Sequence, residues 1–239
     1  MKSVTYDIKI WHIFSYKSDE SPGGNMTKYQ KLNYELEQNE REWLNHMGCT
    51  LVERSNGLEV ACPHTPLVDY NYFRPYSKIE ISNKLLKIKR SSKLLDYYLN
   101  RGKKAIESFD VHLILDRDRH LRVLQKRELS LTYSFEFAKT TNDERRVELV
   151  TIYFKNIKAG KALVVYTNNI CGIYDLKISK MYQGKGIAKE FLIDLIESGD
   201  FQYYYTQIYS ENKIAQSLCK KCGFFEFDHY YYLVEKQLA

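Results

Sequence analysis

Seven residues, Tyr182-Gln183-Gly184-Lys185-Gly186-Ile187-Ala188, place two glycines and a lysine between a strand pattern and a helix pattern. Glycines let a backbone approach an anion closely, and free N–H groups at a helix start point at its charge. That chemistry is phosphate binding, with a plain strand-to-helix turn as the alternative. The spacing is neither the G-x-G-x-x-G of dinucleotide-binding turns nor the G-x-x-x-x-G-K-[S/T] of a P-loop. Two further features stand close by. Asp175 lies inside the strand pattern, where aspartate is unfavourable by propensity and asks for a reason. Cys219 and Cys222 form a Cys-x-x-Cys, a spacing used in zinc and redox sites. A structural zinc needs two more ligands and no second pair exists, while the pair sits near a helix C-terminus rather than the N-terminus that thiol redox chemistry favours. The histidines show no metal-ligand spacing, so no metal is expected.

The elements that must position these residues are readable around them. Ile170–Ser179 is short and β-branched, as a strand should be. Ile187, Phe191, Leu192, Leu195 and Ile196 recur at helical spacing, and Gly199 offers a stop. Tyr203–Tyr209 reads as a second strand. Beyond it, Ile214, Ala215, Leu218 and Cys222 share one face of a second helix, with Gly223 suited to its C-terminal cap.

Two of these stretches together resemble the GCN5-related N-acetyltransferases. Gln183-x-x-Gly186-x-Ala188 is similar to that family's Q/R-x-x-G-x-G/A loop, and Asn212-x-x-Ala215-x-x-Leu218-Cys219-x-x-x-Gly223-Phe224 to its closing motif. The resemblance covers roughly residues 143–235. It implies an α/β (α+β) fold with a mixed, mostly antiparallel sheet flanked by helices. It also implies an acyltransferase that moves the acetyl group of acetyl-coenzyme A onto a primary amine, on a small molecule or a peptide, by direct attack. By the same resemblance, the backbone of Gln183, Gly184, Lys185, Gly186, Ile187 and Ala188 cradles the coenzyme's pyrophosphate, and Lys185 adds charge at the rim. The preceding strand splays from its neighbour, so that Leu176, Lys177 and Ile178 pair with the pantetheine arm and one N–H stabilises the developing oxyanion. Asn212 contacts the same arm. Asp175 becomes the candidate base, its pKa raised by partial burial; an ion pair with a neighbouring Lys or Arg is the alternative reading. The motif's usual tyrosine is Cys219 here. The leaving thiolate would take its proton from Cys219, from a nearby tyrosine such as Tyr209 or Tyr205, or from water, and a non-catalytic acyl-coenzyme A-binding protein is the competing reading.

The whole chain has 239 residues, 44% hydrophobic and 28% charged, and no run long enough to span a membrane. Five scattered cysteines and a charged N-terminal stretch point to reduced thiols in a cytoplasm. The net charge of +6 is uneven: 15 Lys/Arg face 6 Asp/Glu between Arg74 and Arg127. Such a segment could meet nucleic acid or an acidic ligand. The alternation of Lys84, Lys87 and Lys89 with Leu85, Leu86 and Ile88 reads instead as a solvated helix face, which argues against nucleic acid.

Upstream, Thr5–Ser15 reads as a strand and Ser18–Gly24 as a loop. Leu32, Leu36, Trp43, Leu44 and Met47 mark an amphipathic helix stopped at Gly48. Strands are expected at Cys49–Arg54, Leu58–Cys62 and Val111–Leu115, a helix around Leu94–Leu99, and an alternating stretch at Leu129–Ala138. This order loosely echoes the acetyltransferase fold without its glycine loop. The expectation is therefore a degenerate N-terminal domain over 1–139 and a coenzyme-binding domain over 140–239, with the junction near Thr140–Asp143 and one elaborated domain as the alternative. No linker composition separates them, so an extensive interface is expected.

Overall fold

The computed structural model describes residues 26–65, 71–81, 84–120, 129, 131–142 and 145–235. The strand expected at Thr5–Ser15 and the loop at Ser18–Gly24 lie outside them. The chain runs α1 (Lys28–His46), β1 (Thr50–Arg54), β2 (Gly57–Ala61), β3 (Tyr72–Pro75), β4 (Leu86–Lys89), α2 (Lys93–Leu99) and β5 (Lys103–Asp116). It continues through α3 (Arg117–His120), β6 (Leu131–Asn142), β7 (Arg145–Phe154), β8 (Ile157–Thr167), β9 (Ile170–Ile178) and α4 (Ile187–Ser198). The closing elements are β10 (Tyr203–Tyr209), α5 (Lys213–Lys221) and β11 (Phe225–Glu235).

Local chemistry explains the boundaries. A reciprocal cap between Thr27 and Gln30 opens α1, and Gly48 at φ 78° follows its end. Lys155 and Asn156 both have positive φ and turn β7 into β8 in two residues. The strands form one mixed, mostly antiparallel sheet in the order β1-β2-β3-β4-β11-β5-β10-β9-β8-β7-β6. The expected junction at 139/140 falls inside β6, and β11 lies between β4 and β5. The segments before and after that junction therefore contribute strands to a single sheet.

Helices cover both faces. Ile187, Phe191, Leu192 and Ile196 of α4 join a core with Leu113, Leu115, Val164, Ile173 and Tyr204. On the opposite face, Leu36, Trp43 and Leu44 of α1 join Val165, Ile170, Tyr174 and Tyr205. There the Trp43 and Tyr174 rings stack with centroids 4.7 Å apart.

The lysine-rich stretch corrects the sequence reading. It contributes strand β4, not a helix, because apolar and polar residues alternating every second position match the strand period. Lys87 is 0% exposed. Its ammonium lies 2.8 Å from Glu40 and 3.0 Å from Asp110, and the Arg74 guanidinium lies 2.6 Å from Glu40. Two cations and two carboxylates thus tie α1, β3, β4 and β5 together, and the Tyr232 hydroxyl donates to Asp110 at 2.7 Å. Burial alone would push the Glu40 carboxyl up; Arg74 and Lys87 outweigh it and hold Glu40 well below the usual carboxylate range.

Removing one member strands the others. Lys87→Met should cost about 3–5 kcal/mol in denaturant unfolding, since two buried carboxylates lose a partner. Acid should act in the same direction. Glu40 has a folded pKa below its ordinary 4.5, so its contribution is complete above about that pH and disappears as pH falls through the folded value. Unfolding midpoints between about pH 5 and pH 3 should fall less steeply in Glu40→Gln than in the unaltered protein.

Candidate functional site

Strands β9 and β10 run parallel but pair only where Ile170, Cys171 and Gly172 face Tyr203, Tyr204 and Tyr205. Beyond these pairs the two strands part. Each remains bonded on its outer side, β9 to β8 as far as Ile178 and β10 to β5 as far as Tyr209. The result is a wedge open toward the C-terminal ends of both strands, with unpaired backbone on its inner edges. Asn39 of α1 fixes the apex. Its amide donates to the Val165 carbonyl at 2.8 Å and accepts from the Tyr174 hydroxyl at 2.8 Å. A Cβ at Gly172 would lie 1.9 Å from the Asn39 Oδ1, so only glycine fits beneath it.

The glycine loop follows the open end of β9. A single 3-10 turn at Lys180–Tyr182 leads to Gly184 at φ 75° and Gly186 at φ 85°, both left-handed. Gly186 is the N-cap of α4 and, having no side chain, leaves the cap without a side-chain hydrogen bond. The first intrahelical bond is Glu190 N–H to the Gly186 carbonyl at 3.0 Å. The N–H groups of Ile187, Ala188 and Lys189 precede it, in the position where helices receive anions. The Gln183 amide donates to the Ile178 carbonyl at 2.9 Å and latches the loop to the strand end. The Lys185 ammonium sits 5.2 Å from the centre of the Tyr182 ring.

The other expected residues fall in distinct places. Asp175 is exposed at a β-bulge, where it and Leu176 together oppose Ala162 of β8. Its φ of 50° is one that aspartate tolerates better than most residues, which explains an aspartate inside a strand. It makes no ion pair among the described residues, and the partial burial expected of it is not found. Leu176 and Ile178 are partly buried, and Lys177 is exposed. Asn212 caps α5 by accepting from the Ala215 N–H at 3.1 Å. Tyr209 ends β10 in its parted stretch, 37% exposed.

Cys219 is 6% exposed and belongs to the core beneath α4 and α5. Burial first, then its neighbour Cys222, pushes its thiol up to about 12. Ile214 is 86% exposed, so it leaves the apolar face assigned to it with Ala215, Leu218 and Cys222.

A second feature was not legible from motifs. Beneath α1 lies a shallow cleft, open to solvent and with enclosed room of only about 10 Å³, walled by Glu37, Glu40, Lys89, His112, Tyr205, Asp228 and Tyr230 among others. Tyr205 belongs both to this wall and to the last pair at the wedge apex. His112 is 3% exposed and shares a short hydrogen bond through Nδ1 with the Tyr205 hydroxyl, while its Nε2 is buried without a partner. Burial, reinforced by Lys87, holds His112 well below its ordinary value, which makes it neutral near pH 7. Gln207, opposite His112 in register and past the last β9 pair, also has a buried amide nitrogen without a partner. The signal available in the sequence was one polar residue inside the apolar run Val111–Leu115.

Among the described residues, no group of three or more His, Cys, Asp and Glu side chains could hold a metal ion, and no helix is long and apolar enough to cross a membrane. All five cysteines are free and buried. A thiol reagent added to the native protein should therefore label fewer than one cysteine per chain over minutes and all five after denaturation; fast labelling of Cys219 would contradict its burial.

No protein-family model matches the chain, and no curated protein matches it. Solved structures do. A functionally unknown conserved protein from Staphylococcus epidermidis ATCC 12228 is similar over 77% of this chain and 92% of its own, with TM-score 0.53 and 11% identity. A tandem GNAT protein from the clavulanic acid biosynthesis pathway, solved without acetyl-CoA, is similar over 65% of this chain and 64% of its own, with TM-score 0.50 and 11% identity. At such identities the likeness is one of fold, and the fold of this chain is the mixed α/β fold of the GNAT acetyltransferases.

Proposed function

We propose that the protein is an acetyl-coenzyme A-dependent N-acetyltransferase acting on a primary amine. The observation that carries this reading is the wedge between β9 and β10, opening beside a helix N-terminus whose cap is a bare glycine. The residues fit the ligand. Backbone N–H groups from Gln183 to Ala188 receive the pyrophosphate, Lys185 supplies positive charge, and the inner edge of β9 over Leu176–Ile178 pairs with the amide-bearing arm. Asn212, at the end of the loop after β10, borders that arm.

Acetyl-coenzyme A supplies the thioester carbon that the amine attacks. A new N–C bond forms, the C–S bond breaks, the ammonium proton leaves to a base, and the departing thiolate gains a proton. Asp175, exposed on the bulge, takes the amine proton through water rather than by the burial-tuned contact expected of it. Cys219 faces the core, so the thiolate proton comes from Tyr209 or from solvent. The segment before β6 covers the acceptor side through α1. A non-catalytic acyl-coenzyme A-binding protein is the second reading, favoured by the burial of Cys219 where the motif carries a tyrosine.

Calorimetric titration with acetyl-coenzyme A tests the site. The unaltered protein should bind in the micromolar range, and Gly186→Glu should weaken binding by about a hundredfold or more, because it sets a carboxylate against phosphate and forces a side chain onto a left-handed backbone. Binding by that variant equal to the unaltered protein would remove the loop from the site. Asp175→Asn should keep coenzyme affinity and lower turnover by about tenfold or more; unchanged turnover would remove Asp175 from the reaction.

A further inference from the structure

We propose that Cys49 and Cys62 are an oxidation site, two buried thiols that close into a reversible disulfide and fasten the end of α1 to β2. The inference stands apart from the acetyl-transfer reading and does not depend on it.

The hairpin of β1 and β2 places the pair. Arg54 and Gly57 face each other across a two-residue turn, and the register runs without a shift to Thr50 and Ala61. One step further, Cys49 stands opposite Cys62. Bonded and unbonded pairs alternate along an antiparallel ladder. The pair that closes a two-residue turn is bonded, so the pair at Cys49 and Cys62, an odd number of steps away, is unbonded. The backbone agrees. The Cys49 N–H donates to the Leu44 carbonyl at 3.0 Å and the Cys62 N–H to Asn71 Oδ1 at 3.0 Å, neither to the other. Opposed Cα atoms at unbonded positions lie about 4.5 Å apart, within the roughly 4.4–6.8 Å that a disulfide spans.

The side chains meet as the register requires. Both are buried in the core that includes Leu44, Leu58 and Val60, and the two thiols share a hydrogen bond. The Cys62 thiol also donates to the Met47 carbonyl, at the end of α1, at 3.7 Å. Among the described residues no group of three or more His, Cys, Asp and Glu could hold a metal here, so the chemistry open to two adjoining thiols is oxidation. The site lies one layer below the surface. Gly48 and Thr50 beside Cys49 are exposed, as are Ala61 and Pro63 beside Cys62. Burial, then Cys62, pushes the Cys49 thiol up to about 12, so thiolate is scarce at neutral pH and closure is slow, over minutes to hours.

Hydrogen peroxide is small enough to reach the pair and balances the step. One thiolate attacks the O–O bond, giving a sulfenic acid and, after protonation, water. The second thiol displaces the sulfenic oxygen as a second water and forms the S–S bond. The two sulfurs lose two electrons, which reduce the peroxide. A small dithiol reverses the bridge by exchange. The bridge ties down the end of the helix whose Asn39 and Glu40 reach the wedge apex and the ion cluster.

The test treats the native full chain with hydrogen peroxide, denatures it, alkylates the remaining thiols and maps the peptides by mass spectrometry. Alkylated cysteines should fall from five to three, with one crosslink joining Cys49 to Cys62, and dithiothreitol should restore all five. In urea, the bridged protein should have an unfolding equilibrium constant about a hundredfold below that of the reduced protein. A bridge between Cys219 and Cys222 in its place, sulfinic acid at Cys49 without a bridge, or five alkylated cysteines after oxidation overturns the proposal. A bridge that raises the unfolding constant also overturns it, because the native backbone then does not accommodate the bond. Cys62→Ala should abolish the crosslink, and the map of the unaltered protein decides the matter if that variant fails to fold.

Discussion

A parallel strand pair that stops pairing halfway leaves backbone groups without a strand partner along its inner edges, and the rest of the site depends on that interruption. Unpaired backbone groups shielded from water are costly, so such an opening persists only if the outer edges are held and the inner ones can be satisfied. Here β8 holds β9 through its last residue, and β5 holds β10 through Tyr209. The bulge at Asp175 and Leu176 bends β9 where it leaves its neighbour. Asn39, seated against Gly172, ties α1 to β8 and β9 at the apex. The wedge is built, not frayed, and its edges have the alternating donors and acceptors that an extended polar ligand could meet.

The same helix that fixes the apex also roofs the cleft, and charge positions it as much as packing does. Glu40 takes Arg74 and Lys87 on one side of α1, while the next residue back, Asn39, reaches β8. Trp43 stacks on Tyr174 one turn later. A buried ion cluster of this kind adds little net stability over an apolar equivalent, but it tolerates only one arrangement, because any shift leaves a charge uncompensated. It uses two of the cations in the basic middle segment internally. The excess charge of that segment is therefore a poor guide to its surface.

Legibility in the sequence followed the range of the interactions. The elements from β9 to α5 were readable because their signals are local: a β-branched run, left-handed glycines, a helical stripe, an asparagine cap. The helix at Lys28–His46 and the strands at Thr50–Arg54 and Gly57–Ala61 were readable for the same reason. What failed was whatever needed a distant partner. Lys87 looked solvated because Glu40 lies 47 residues before it, and nothing local shows that a lysine is neutralised. Asp175 suggested partial burial or an ion pair, whereas it is exposed on a bulge at a φ of 50°. The place of β11 between β4 and β5 has no sequence mark, since strand order is set by burial across the whole sheet.

That contrast extends to the two halves of the site. The proposed coenzyme side is one nearly continuous run, from β9 through the glycine loop into α4, because phosphate is recognised by backbone geometry that a few consecutive residues can supply. The cleft beneath α1 is instead assembled from α1, β4, β5, β10 and β11, because convergence of side chains in a sheet requires neighbours remote in sequence. A motif can therefore mark an anion-binding loop while saying nothing of a cleft built from side chains. Within β4, two lysines of equal local character meet different surroundings: Lys87 is paired with Glu40 and Asp110, and Lys89 donates to Asn33. Substitutions at Glu37, Lys89 or Asp228 would alter the charge of that cleft without touching the glycine loop.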